Sequence, residues 1–323
     1  MKKIPSIVLA AAMTLGMSGH FAAAQTYPDR PVRLVVPFAA GGAGDTLARI
    51  IGQSVEADLG QRVLIENRTG ANGAIGTQSA AKAASDGYTI LQVSTVNVIN
   101  AQLQDVPFSF DRDFMPIVGV GSFPILLAVS ADSGIRTIAD LVAYAKSTNG
   151  GITYATGGVG SVAHVTTVRF LNELKIAGTH VPYSGNNLGV QALMGNHVQL
   201  FFPQTVDVLS FVNSPQIRLL GVIADRRLPS LPNVPTFEEL GIKNFNASVW
   251  YGYLAPANTP ANIVERLNKA FTKAMSDPAV QDRLNTLSYR TDVADKSKFA
   301  GFMQEEAARW KKVIVENNIK PLN

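Results

Sequence analysis

Two spacings of apolar residues take turns along the chain. Short continuous runs such as Leu34-Val35-Val36 and Ile90-Leu91 read as strands, whereas Leu47, Ile50, Ile51, Val55 and Leu59 recur at helical spacing on one face. Carried through, the pattern predicts strands over residues 34–38, 62–66, 88–93, 152–155, 180–183, 198–202 and 217–222. Helices are predicted over 45–59, 75–84, 138–146, from 161 onward, and over 188–194, 236–240, 260–276, 278–287 and 296–317. Strands alternating with helices imply an α/β class with a mostly parallel sheet. A nearly continuous apolar stretch, 117–129, leaves the first αβ series, and an aromatic strand, 249–255, returns to it. Two such crossings predict two lobes, residues 25–125 with 248–323 and residues 126–247, joined by a hinge with a cleft between them.

Chemistry gathers where strands give way to helices. The first such place reads Phe38-Ala39-Ala40-Gly41-Gly42-Ala43-Gly44-Asp45-Thr46, with Asp45 expected as the helix N-cap. Glycines ahead of a helix leave backbone N–H groups uncovered, and the orphan donors of the first turn add a partial positive charge, so an anion is the expected guest. No Lys-Ser/Thr pair follows Gly44, as a nucleotide phosphate loop requires, and Leu47 breaks the dinucleotide fingerprint. A smaller anion such as a carboxylate fits better. The second place reads Thr156-Gly157-Gly158-Val159-Gly160-Ser161, followed by His164. Gly158 to Ala163 matches G-x-G-x-x-A, but no acidic residue ends the following strand to hold a ribose. Ser161 is expected as an N-cap, and its surroundings are not those of a nucleophile elbow. Further strand ends at Ser94, Thr95 and Asn97, at Tyr183, and at Pro203-Gln204 are expected along the same sheet edges.

Composition narrows the setting. Lys2 and Lys3, an apolar run over 7–17 and Ala22-Ala23-Ala24 read as a secretory signal peptide cleaved after Ala24, which places the protein in the periplasm. The formal charge of +4 over 323 residues includes those two lysines, leaving about +2 on the 299 residues after the leader. Lys and Arg are scattered, without the basic stripes and interleaved aromatics of nucleic-acid binders. The sequence contains no cysteine, which removes thiolate metal sites and thiol nucleophiles. His180 and His197 have no spacing that makes a metal pair, and no cofactor is expected.

Motifs spread over the chain resemble one family. Tyr27-Pro28-Asp29-Arg30-Pro31, Val36-Pro37-Phe38 through Gly44-Asp45, Glu66-Asn67-Arg68 with Gly70-Ala71-Asn72-Gly73, and Asp86-Gly87-Tyr88-Thr89 are similar to the solute receptors of tripartite tricarboxylate transporters, the Bug-type periplasmic binding proteins. Tyr154-Ala155-Thr156 through His164, Val181-Pro182-Tyr183, Pro232 to Thr236, and Trp250-Tyr251-Gly252 extend the resemblance over essentially the whole chain. It implies a Venus-flytrap fold that captures small carboxylates, with residues 38–46 and 156–164 as the two gripping loops, working through backbone groups and bridging waters. It also implies delivery to a membrane permease of one large and one small subunit. The expectation is therefore a monomeric, non-catalytic carboxylate receptor. An exported hydrolase using Ser161, or a ligand sensor for a membrane signalling partner, are the alternatives.

Overall fold

The computed structural model describes residues 27–320, so the expected leader and its cleavage point lie outside the described residues. The first half runs β1 (Val32–Val36), α1 (Ala43–Leu59), β2 (Val63–Asn67), α2 (Ala74–Ala81), β3 (Thr89–Ser94), α3 (Thr95–Leu103), α4 (Phe110–Asp113) and β4 (Phe114–Ser130). Then follow α5 (Ile138–Ser147), β5 (Ile152–Thr156), α6 (Val162–Glu173), β6 (Gly178–Pro182), α7 (Asn186–Met194), β7 (Leu200–Phe201), α8 (Thr205–Val208) and β8 (Ile217–Ile223). The chain closes with β9 (Ser248–Pro256), α9 (Ala261–Ser276), α10 (Pro278–Thr286), β10 (Arg290–Ala294) and α11 (Lys296–Glu316).

The sheet order is β2-β1-β3-β9-β4-β7-β5-β6, with β8 and β10 also paired to β4. β4 belongs to both halves. Its first part, Phe114 to Pro124, pairs with β9, and its second part, Ile125 to Ser130, pairs with β8 and β7. Strand directions then fix where a site can form. β3 is antiparallel to β9 and β9 to β4, so β1, β2 and β3 run the same way as β4. β7 and β8 are antiparallel to β4, and β5 and β6 run with β7. Because β4 leads from the first set into the second, the carboxyl ends of the two parallel sets point towards each other.

Both faces of the first sheet are covered. Leu34, Val36 and Ile90 pack with Leu47, Ile51 and Phe271 under α1 and α9, while Val35, Leu91 and Val93 pack with Val98, Trp250 and Phe299. Each such side chain removed from water stabilises the fold by about 1.5–3 kcal/mol before entropy is counted. In the second half Phe170 packs edge-on to Phe202 and Phe245, with ring centroids 5.1 and 6.1 Å apart.

Besides the unexpected β10, three features depart from the sequence reading. Residues 236–240 form turns instead of a helix: Thr236 bridges to Val222, and Gly241 at φ +82° ends the segment after one turn. The segment after Ser94 is helical, because Ser94 accepts from the Val96 amide while the Asn97 side chain accepts from the Ser94 amide. Asp45 is not an N-cap; that position is Gly42, and α1 begins at Ala43.

Candidate ligand-binding site

The first glycine loop joins β1 to α1. Asp45 is in the first helical turn, 3 % exposed, and its carboxylate ties the loop together. Oδ2 accepts from the Gly41 amide and from Arg49 Nε, each at 2.9 Å, and Oδ1 accepts from Asn67 Nδ2 at 3.0 Å. Asn67 Nδ2 also donates to the Phe38 carbonyl at 3.1 Å. Burial pushes the Asp45 carboxyl up, but the bonds from Arg49, Gly41 and Asn67 outweigh it and hold the group below its ordinary range. Gly42 donates to the Ala39 carbonyl and Thr46 to the Gly42 carbonyl. Among the described residues, the amides of Ala43, Gly44 and Asp45 have no protein acceptor. A side chain at Gly44 would begin 2.8 Å from the Phe38 ring, so only glycine lets that ring lie against the helix start.

The second loop joins β5 to α6. The Thr156 hydroxyl donates to the Gly158 carbonyl at 3.1 Å, accepts from the Gly158 amide at 3.2 Å and lies 2.7 Å from His180 Nε2. Ser161 caps α6 by accepting from the His164 amide at 3.2 Å. The His164 ring stacks on His180 with centroids 4.2 Å apart, and its Nδ1 accepts from the Gly160 amide at 3.2 Å. That bond assigns the proton of the neutral ring to Nε2, making His164 a neutral donor. Burial, then the neighbouring His180, push His164 down to about 4, so the ring carries no charge at neutral pH. The amides of Gly157, Val159, Val162 and Ala163 have no protein acceptor among the described residues. Ser161 Oγ and His164 Nδ1 are each committed to backbone amides rather than to one another. The nucleophile and base that hydrolysis would need are not paired.

Two links tie the second loop to the first half of the chain, one from the turn after β2 and one reaching the first loop. Asn72, at φ +50°, donates through Nδ2 to the Val159 carbonyl. Gly158, at φ +127°, brings its backbone against the same side chain, where a Cβ would lie 3.0 Å from Asn72 Oδ1. The second link starts at Gly157, where a Cβ would lie 2.4 Å from Asn186 Oδ1. Asn186 Nδ2 donates to Asp207 Oδ2 at 2.6 Å, and the Gln204 amide donates to the same oxygen at 2.9 Å. Tyr251 OH donates to Gln204 Oε1 at 3.0 Å, and a Cβ on Gly44 would lie 3.4 Å from the Tyr251 ring and 3.1 Å from Gln92 Oε1. Gln92 is 0 % exposed, and neither its side-chain oxygen nor its nitrogen has a partner. Burial pushes Asp207 up to about 6 against the bonds from Asn186 and Gln204.

The remaining expected residues fall nearby with varied duties. Ser94 and Asn97 are buried at the end of β3, where they cap α3, and Asn97 Nδ2 donates to Thr77 Oγ1. Thr95 Oγ1 donates to the Ser248 carbonyl and accepts from the Trp250 amide, pinning the start of β9. Tyr183 donates its amide to the Thr156 carbonyl and supports the second loop from beside it. Pro203 and Gln204 are buried where β7 ends. Gln92 and Asp207 were not among the residues the sequence pointed to, Asn72 and Tyr251 stood there only within the family motifs, and Asn186 only within the loop that follows Tyr183. Gln92 and Asp207 left faint traces, as a lone amide inside the apolar run of β3 and as an acid three residues after Gln204.

Opposed carboxyl ends, two glycine loops opening helices and a shared central strand define a periplasmic-binding-protein fold. The chain belongs to the tripartite tricarboxylate transporter family receptors, whose family model matches residues 47–319. It is 37 % identical over 292 residues to a Pseudomonas sp. strain P51 protein of the tcbD-tcbE intergenic region, covering 90 % of this chain and 87 % of that one. The solved periplasmic binding protein BugD is 30 % identical with a TM-score of 0.85, over 91 % of this chain and 99 % of BugD. MatC from Rhodopseudomonas palustris, solved with bound malate, is 31 % identical with a TM-score of 0.82, over 89 % of this chain and 100 % of MatC.

Proposed function

We propose that this protein is a periplasmic solute receptor that encloses a small organic carboxylate between two lobes and delivers it to a two-subunit membrane permease. The lobes are residues 25–125 with 248–323 and residues 126–247; the hinge is β4 near Ile125 together with the chain entering β9 at Ser248. The observation that carries the reading is the pair of helix N-termini with unused amides, Ala43 to Asp45 and Val162 to Ala163, on opposed sheet edges linked by Asn72. Backbone donors at a helix start favour an anion, and two such starts hold the two oxygens of one carboxylate. Neutral His164 adds a donor without a fixed charge. Residues 38–46 and 156–164 form the grip, with Tyr183, Pro203 and Gln204 beside it, and Ser94, Thr95 and Asn97 holding the first loop's neighbour strand in place. The bound malate of MatC supports the ligand class. Export by the leader, with cleavage after Ala24, accounts for the location, and the receptor works as a monomer without cofactor.

A dye-monitored melting screen tests this. At a hundredfold excess over its dissociation constant, a bound acid stabilises the native state by about 2.7 kcal/mol. For a chain of this size that raises the melting temperature by roughly 5 °C. Matched amides and alcohols should give no shift. A panel of mono-, di- and tricarboxylates and aromatic acids without any shift would overturn the proposal.

A further inference from the structure

The second link between the loops has a chemistry of its own. From Gly157 it passes through Asn186, Asp207, Gln204 and Tyr251 to Gly44, so it adjoins both gripping loops. Its members are amides, a phenol and one carboxylate. Among the described residues no Lys, Arg or His nitrogen comes within ion-pair distance of Asp207, whose Oδ2 takes both hydrogen bonds while Oδ1 takes none. Gln92, beside Gly44, adds a further amide with both ends free. Arg49 is engaged by Asp45, with its side chain 55 % exposed.

We infer that the carboxylate held by the glycine loops belongs to a monocarboxylate whose far end is a hydrogen-bond donor, hydroxyl, amide or ammonium, and that Asp207 selects against a second carboxylate. This inference rests on the carboxylate-receptor reading. A second ligand carboxylate would meet a half-buried Asp207 with no cation to offset it, and like charges there repel. A donor at the same place is accepted by Asp207 Oδ1. The ligand preference therefore differs from that suggested by malate in MatC.

Calorimetry at pH 7.5 with three acids of equal chain length, 5-hydroxypentanoate, 5-aminopentanoate and glutarate, decides. The better of the first two should bind at least about tenfold more tightly than glutarate. Asp207→Asn, which keeps the shape and an acceptor for Asn186, should shrink that ratio to within about threefold by improving glutarate. Asp207→Ser serves as the second variant if the first folds poorly. Glutarate binding as tightly as the others, or an unchanged ratio in the variants, overturns this inference and leaves the carboxylate-receptor reading standing. Absence of binding by all three acids, together with a silent wider panel, overturns both.

Discussion

Replacing Asp207 by Asn should make the protein more stable at alkaline pH. Burial raises the Asp207 carboxyl from 3.8 to about 6, so the folded state holds its proton more tightly than the unfolded chain. The sign follows: the stabilisation is full below the unfolded value and is lost as pH rises through about 6. A shift of this size corresponds to at most about 3 kcal/mol lost by pH 8, an upper limit because the side chain keeps some accessible surface. Asn retains an oxygen for the Asn186 and Gln204 donors and never ionises. Urea unfolding followed by the fluorescence of buried Trp250 and Trp310 reads the difference directly. The variant should exceed the parent by up to about 3 kcal/mol at pH 8 and by only about 1 kcal/mol at pH 4.5. Equal stability at pH 8, or a less stable variant, would show that Asp207 is compensated in the native state and would refute the reasoning.

His164 titrates in the opposite sense. Its folded value is lowered to about 4, so stability is full above 6.5 and is lost as pH falls towards 4; between pH 7.5 and 4.5 the parent should lose about 2 kcal/mol more than His164→Gln in urea unfolding. Asn72→Ala removes the donor to the Val159 carbonyl, and ligand affinity measured by calorimetry should fall about tenfold with little change in melting temperature. Asp45→Ala frees the Gly41 amide, Arg49 and Asn67 together, so differential scanning calorimetry should register a loss of about 2 kcal/mol, with weaker binding following from the loosened loop.

Much of the architecture was legible because its signals are local. The glycine loops, the amphipathic face of α1 and the N-cap at Ser161 are each specified within a few residues, and the structure has them where the pattern predicts. The antiparallel centre of the sheet is less visible, since a single long apolar run serves both halves in β4. β10 escaped notice because Arg290 to Val293 are all exposed at a sheet edge and carry no alternation. Asp45 was misplaced because a carboxylate near a helix start can cap it or, as here, reach back from the first turn to the loop amide. Asn186 opens α7, Asp207 lies in α8 and Gln92 in β3, and only the tertiary pairing of β3 with β9, and of β7 with β4 and β5, assembles them.

The central claim, that two opposed helix starts hold one carboxylate through their backbone, is tested most directly by titrating ¹⁵N-labelled protein with the tightest-binding acid from the screen and following every amide. The largest shifts, saturating together at one equivalent, should come from Ala43, Gly44, Val162 and Ala163, with the His164 ring remaining neutral. Saturable binding that leaves those four amides unmoved, with the shifts concentrated elsewhere, would contradict the account.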